Sequence, residues 1–270
     1  MRLGLGTYAF RWSIGHKDQV PDVPMSALDV LEVAIGHGLS VVQFADNLPL
    51  HKLSNTELGA LVSRARVAGV TLELGTQSFD VDQVRNYLEI GEKIGAPILR
   101  VALDGPDNEK PLEALAAEFV SLLPLARAKR IKIAVENHFD FPSDRLVALL
   151  RRIDDPQVGV CLDVANSICA GEWPAETVGR LAAHTINLHL KDYVIEPDPY
   201  GVGFRILGCP LGDGRTDCAA VLGAADYPDE MSVILEHWLP GYPDLSEARS
   251  KEAVWLARSV TYARSQLGLA

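Results

Sequence analysis

The sequence predicts a single α/β domain spanning residues 1–270: a (β/α)8 TIM barrel, in which eight parallel strands close on themselves inside a ring of helices. Three observations predict it. Eight short runs rich in Val, Ile and Leu recur along the chain, each nearly continuous in apolar character, as strands covered on both faces must be. Between these runs lie stretches with the spacing of amphipathic helices. No linker, composition break or low-complexity segment divides the 270 residues, and such a barrel typically takes about 250. An open doubly wound sheet is the alternative, and the unbroken eightfold alternation fits closure better.

Taken in order, RLGLGTY (2–8) is followed by a helix over 25–37, with Gly38 as its stop. VVQFADN (41–47) leads to a helix over 54–68, opened by Ser54 with Glu57 three residues on, a capping-box pattern, and stopped by Gly69. TLELGTQ (71–77) precedes a helix over 81–94 that stops at Gly95. PILRVAL (97–103) is followed by 111–129, IKIAVEN (131–137) by 144–153, and VGVCLDV (158–164) by 174–183. INLHLKD (186–192) comes before a helix over 216–225, and SVILEHW (232–238) before one over 247–267.

Composition excludes some functions. A net charge of −11 opposes sequence-independent binding to nucleic acid or to an anionic membrane surface, both of which need a basic face. No run of about 18 apolar residues occurs, and Met1-Arg2 leads directly into a strand, so the expectation is a cytoplasmic chain without leader or membrane span. Cys161, Cys169, Cys209 and Cys218 show no C-x-x-C spacing, which predicts reduced, structural thiols.

In a barrel, chemistry gathers at the C-terminal ends of the strands. Four consecutive strands end in groups that an apolar run would not bury without partners: Glu136 in AVENH, Asp163 in CLDVAN, His189 in LHLKD and Glu236 in ILEHW. Any one of them alone reads equally well as a cap or a salt-bridge partner. Four at matched positions on neighbouring strands read as a site for one divalent ion. Three carboxylates and one imidazole make a hard donor set suited to Mn²⁺, Mg²⁺ or Co²⁺, with positions left open for substrate oxygens.

Other polar groups face the same mouth. Lys191, two residues past His189, points to the same face and can bind an anionic substrate group or neutralise Asp192. Asn166 can donate to a substrate hydroxyl or cap the following helix, and His138 can orient a ligand or sit exposed on its loop. Arg100 points inward or pairs with a strand-end acid, while Tyr8 and Trp12 read chiefly as packing. The stretch from Tyr193 to Arg215 is too long for an ordinary βα connection of about 2–6 residues. Its glycines predict a mobile lid, with Arg205 as the central cation that reaches a substrate carboxylate or hydroxyl, or stays in solvent.

VENH at 135–138, CLDVANS at 161–167, LHLKD at 188–192, GDGRTD at 212–217 and ILEH at 234–237 together resemble the xylose isomerase-like superfamily of sugar phosphate isomerases and epimerases, which also holds the ketose 3-epimerases and endonuclease IV. The resemblance covers the whole chain. It implies that Glu136, Asp163, His189 and Glu236 hold Mn²⁺ or a similar ion and that the two glutamates shuttle a proton. Two departures weigh against DNA repair: Asn166 stands where a histidine is usual, and GDGRTD lacks an Asp-x-His pair. TYAFRW and NLPLH look most similar to the 3-oxo-isoapionate decarboxylases of branched-sugar catabolism.

The expected function is therefore metal-dependent decarboxylation of a small 3-oxo sugar acid through an enediolate. A keto-sugar isomerase or epimerase is the second reading, and a non-catalytic metal- or sugar-binding protein the third. Isomerisation needs a base at carbon; decarboxylation needs a place for a carboxylate, to which Lys191 and Arg205 are assigned, with Asn166 on a hydroxyl. The expected partners are a small sugar or sugar acid, no nucleic acid and no membrane, with self-association into a homo-oligomer left open.

Overall fold

The computed structural model describes residues 1–242 and 244–270. Eight parallel strands close into a barrel in the order β1 (Arg2–Gly6), β10 (Ser232–Leu235), β7 (Thr185–Leu190), β6 (Val158–Asp163), β5 (Lys132–Glu136), β4 (Ile98–Ala102), β3 (Thr71–Thr76) and β2 (Val41–Phe44). Strand residues such as Leu3, Leu5, Val42, Leu74 and Val101 are at most 1% exposed. Burying each contributes about 1.5–3 kcal/mol, and they pack with helix residues such as Leu31, Leu88 and Phe119 in one core between strands and helices. The helices cover the outside at the expected places. Ser54 and Glu57 form the anticipated reciprocal cap, and a second such box joins Ser26 to Asp29. Gly69 and Gly95 end their helices in the left-handed conformation. No helix of the described residues is long and apolar enough to cross a membrane.

Two stretches differ from expectation. The chain does not continue as strand through residue 192. β7 ends at Leu190, and Asp192 begins an antiparallel hairpin of β8 (Asp192–Pro197) and β9 (Phe204–Cys209), closed by a turn containing Gly201 and Gly203. The stretch expected to be a lid loop is thus largely a two-stranded ribbon. The helix expected over 216–225 contracts to Cys218–Leu222.

The root of the ribbon is held by Asp192. Its buried carboxylate accepts from the backbone N–H groups of Gly212 (3.0 Å), Gly214 (2.9 Å), Thr216 (2.8 Å) and Tyr193 (2.8 Å). Asp192 therefore anchors the GDGRTD stretch, and Lys191 turns elsewhere. Asp192→Ala leaves four donors without an acceptor and is expected to lower stability by about 3 kcal/mol, the scale of removing one partner from a buried charged network. Urea denaturation checks this; a midpoint equal to wild type would contradict the anchoring role.

The strand pleat aims the inward side chains. Residues two apart share a face, so Ala134 and Glu136, Cys161 and Asp163, and Asn187, His189 and Lys191 stack as columns inside the barrel. Between β6 and β7 the register shifts: Val160 pairs with Thr185 but Cys161 pairs with Asn187. A one-residue slip reverses every side chain beyond it. The shift therefore brings Asp163 level with His189.

Candidate metal centre and substrate cavity

Glu136, Asp163, His189 and Glu236 each offer one ligand atom, and these atoms all lie within 4.8 Å of one another. All four residues are buried, at most 4% exposed. His189 Nδ1 lies 3.5 Å from Glu136 Oε1, 3.5 Å from Glu236 Oε2 and 3.8 Å from Asp163 Oδ2.

The tautomer of His189 follows from its other nitrogen. Gln43 Nε2 donates to Glu73 Oε2 (3.0 Å) and Asn187 Oδ1 (3.1 Å), so the Gln43 oxygen is free to accept. His189 Nε2 lies 2.8 Å from that oxygen and donates its proton there. Nδ1 is left facing three carboxylates, with no hydrogen-bond partner. Asp163 Oδ2 is also outside any hydrogen bond; Lys191 Nζ stands 2.6 Å away, in charge contact but off the direction a hydrogen bond needs. A lone pair opposite three carboxylates calls for a positive charge between them. The donor set fits a hard divalent cation held by Glu136, Asp163, His189 and Glu236.

The rest of the site orients these groups. Asp163 Oδ1 accepts from the N–H groups of Ala165 (2.9 Å) and Asn166 (3.0 Å), leaving Oδ2 to face inward. Asn166 Nδ2 donates to Glu136 Oε1 at 3.0 Å, and Arg100 Nε lies 3.3 Å from Glu136 Oε2. Lys191 Nζ is 3.0 Å from Glu236 Oε2. Two glycines make room for this crowding. A Cβ on Gly6 would stand 2.9 Å from Glu236 Oε1, and one on Gly75 would stand 2.9 Å from Arg100 Nε.

Burial opposes the charge on Glu136, but Arg100, His189 and His138 outweigh it and hold the carboxyl at about 2. Burial likewise opposes the charge on Glu236, yet His189 and Lys191 keep it well below the carboxylate range. For His189, burial disfavours the cation, but the surrounding acids, Cys161, Glu236 and Asp163 among them, prevail and raise it well above the usual imidazole value. A proton and a metal ion thus compete for the same nitrogen.

Glu136 and Glu236 of the cluster, with Asn166 and Lys191, line a cavity of about 770 Å³ that also takes in Tyr8, Arg11, Trp12, Asp46, His138 and Trp238. His138 lines this cavity and is paired with Asp104; burial lowers its basicity, but the Asp104 bond outweighs that and raises it. Arg100 does both things anticipated for it, pointing inward and pairing with Glu136. Trp12 is buried with its Nε1 donating to Leu239 O at 3.1 Å, and Tyr8 donates its hydroxyl to Asp46 Oδ2 at 2.9 Å.

The structure does not bring Arg205 to this group. It lies exposed on β9, opposite Glu196 in the ribbon register and 3.9 Å from Asp198, and is absent from the cavity wall. Arg205 sits toward the turn end of the ribbon, beside Asp198, nearer the turn than the β9 residues that reach the cavity. Ile206, Leu207 and Gly208 line the cavity in its place.

Sequence reading missed the layer beneath. Gln43, Glu73, Asn187 and Ser232 are buried inside the barrel and joined to one another. Burial raises the Glu73 carboxyl, a shift that hydrogen bonds from Ser232 and Gln43 reduce. The signal was present, since VVQF, TLEL and TINL each carry one polar residue inside an apolar run. Gln43→Leu removes the group that fixes the His189 tautomer without touching a ligand. It is expected to weaken divalent-metal binding about 10–100-fold, the usual effect of losing a ligand's own partner. Titration with Mn²⁺ followed by electron paramagnetic resonance checks it; unchanged affinity would remove Gln43 from the site.

A family model described as the xylose isomerase-like TIM barrel matches residues 24–259. The 3-oxo-isoapionate decarboxylase of Pectobacterium atrosepticum is 31% identical over 264 residues, covering 97% of this chain and 94% of that protein. Among solved structures, a xylose isomerase-like TIM barrel protein from Mycobacterium smegmatis in complex with magnesium superimposes with a TM-score of 0.68 at 17% identity, covering 96% of this chain and 97% of that one. D-psicose 3-epimerase with D-tagatose from Clostridium cellulolyticum H10 gives a TM-score of 0.70 at 18% identity, covering 96% and 98%. At such identities the two structures speak for the fold alone.

Proposed function

The chain belongs to the xylose isomerase-like TIM barrel family, and from that premise we propose that it is a divalent-metal-dependent decarboxylase of a small 3-oxo sugar acid of the 3-oxo-isoapionate kind. The observation that carries this reading is the 31% identity to a 3-oxo-isoapionate decarboxylase over nearly the full length of both chains. The buried cluster supports it, and the 770 Å³ cavity is ample for a five- or six-carbon acid.

When bound, a divalent cation supplies Lewis acidity toward the substrate's carbonyl oxygen. The residues of the chain do the rest. As the bond between the carboxylate carbon and its neighbour breaks, CO₂ leaves and the electron pair stays on the sugar fragment as an enediolate. One proton must then reach carbon. Glu236 is the carrier in this reading, and Lys191, with Nζ 3.0 Å from Glu236 Oε2, is the adjacent proton source. Asn166 and Arg100 hold Glu136 in place. Trp12 and Trp238 on the cavity wall help to keep water off the enediolate.

One observation favours a second reading. Glu136 and Glu236 are both held ionised, and a carboxylate in that state is ready to take a proton from carbon beside a carbonyl, as an isomerase or epimerase requires. Carbon-13 NMR separates the two. With 3-oxo-isoapionate labelled at the carboxylate and Mg²⁺ present, the proposal expects labelled bicarbonate and a neutral ketose. Interconversion of neutral ketoses with deuterium uptake from solvent, and no bicarbonate from the acid, would overturn it in favour of the second reading. Neither signal would leave a binding protein.

A further inference from the structure

We propose that Arg11 is the side chain that receives the anionic end of the substrate, and that it makes a carboxylate on a short polyhydroxylated chain the preferred ligand of the cavity. The inference rests on the sugar-acid reading above and supplies what that reading lacks, a cation free to bind the acid.

The cationic side chains on the cavity wall besides histidine are Arg11, Lys17, Arg100 and Lys191. Arg100 is engaged with Glu136 and with Thr76 O, to which its Nη1 donates at 2.7 Å. Lys191 is held between Asp163 and Glu236. Lys17 is exposed at the rim. Of the three histidines, His138 is paired with Asp104, His237 is bonded to Ser259 and held neutral by burial, and burial pushes His16 toward its neutral form. Arg11 remains. It is half-buried, and no carboxylate of the described residues forms an ion pair with it.

Its Nε is buried without a hydrogen-bond partner, so no group of the protein neutralises the guanidinium at that atom. The guanidinium sits 5.4 Å from the centre of the Tyr8 ring, and Tyr8 is itself fixed by its bond to Asp46. The backbone beside it is equally fixed. The N–H groups of Trp12 and Ser13 donate to the Glu252 carboxylate at 2.6 and 3.0 Å, so the short helix Arg11–Ile14 is pinned to the long C-terminal helix. A guanidinium beside a fixed ring, carried on a backbone that is itself pinned, suits recognition of a carboxylate.

The test is calorimetric binding of D-ribonate and ribitol, which share a carbon chain and differ in charge, to the Mg²⁺-loaded protein. Wild type is expected to prefer ribonate. Arg11→Gln is expected to lose about 10–100-fold in ribonate affinity, with ribitol unchanged, the scale of a hydrogen-bonded charge. Arg11→Lys should recover part of the loss, which a purely structural role would not. Arg205→Gln should behave as wild type. A ribonate preference that survives Arg11→Gln, or that is lost in Arg205→Gln instead, overturns the assignment of Arg11 while leaving the sugar-acid reading intact. A wild-type protein that binds both ligands alike overturns the sugar-acid reading and the inference with it. Tighter binding of D-ribose 5-phosphate than of ribonate would assign the anion site to phosphate and overturn the carboxylate assignment.

Discussion

Replacing Glu236 by glutamine is expected to lower kcat by about 10²–10⁴-fold, the usual cost of losing a general acid or base, while a divalent ion stays bound at saturating concentration. Glutamine keeps an oxygen and nearly the same volume at the end of β10. It cannot accept or deliver a proton near neutral pH. The packing against Gly6, where the Glu236 oxygen stands 2.9 Å from the place of a Cβ, tolerates an isostere and little else. If Glu236 were only a ligand, its loss would show as weaker metal binding that added Mn²⁺ repairs. Turnover measured with rising Mn²⁺ decides between them. Recovery to the wild-type rate would refute the proton role and make Lys191, 3.0 Å away, the next donor to test.

His189→Ala is expected to weaken divalent-metal binding by more than the roughly 10–100-fold that loss of a supporting partner costs. The imidazole is the sole nitrogen of the set, and its Nδ1 faces all three carboxylates. Without it, three buried carboxylates remain around a ligand-sized gap, balanced chiefly by Arg100 and Lys191. Wild-type protein should gain thermal stability with added Mn²⁺, since an ion that binds only the folded chain stabilises it by mass action. The variant should show little of that gain. Melting curves with and without Mn²⁺ check it, and an undiminished upward shift in His189→Ala would contradict the ligand assignment.

The barrel was legible because its strands are doubly covered: VVQF and VGVCL are apolar on both faces but for Gln43. The three acids and the imidazole were legible for the same reason, since a charged group at the end of such a run needs a partner. The ribbon was not. Its strand YVIE follows the true end of β7 with only Lys191 and Asp192 between, so periodicity carried the earlier strand too far. Gly201 and Gly203 looked like mobility but form a turn. Arg205 was drawn toward the floor by its place in sequence, and the pairing with β8 places it near the turn of the ribbon beside Asp198. Gln43, Glu73 and Asn187 were overlooked because the rule applied to strand ends was not applied within strands. Arg11 was passed over in TYAFRW, where only Tyr8 and Trp12 were weighed; it opens a helical turn over Arg11–Ile14.

One metal ion at the four strand ends is what the decarboxylase chemistry requires. Metal-stripped protein titrated with Mn²⁺, with free ion counted by electron paramagnetic resonance, tests it most directly. One Mn²⁺ bound per chain, with the site lost in His189→Ala, is the expected result. No binding at millimolar Mn²⁺, or one ion per chain bound equally well after that substitution, would contradict it.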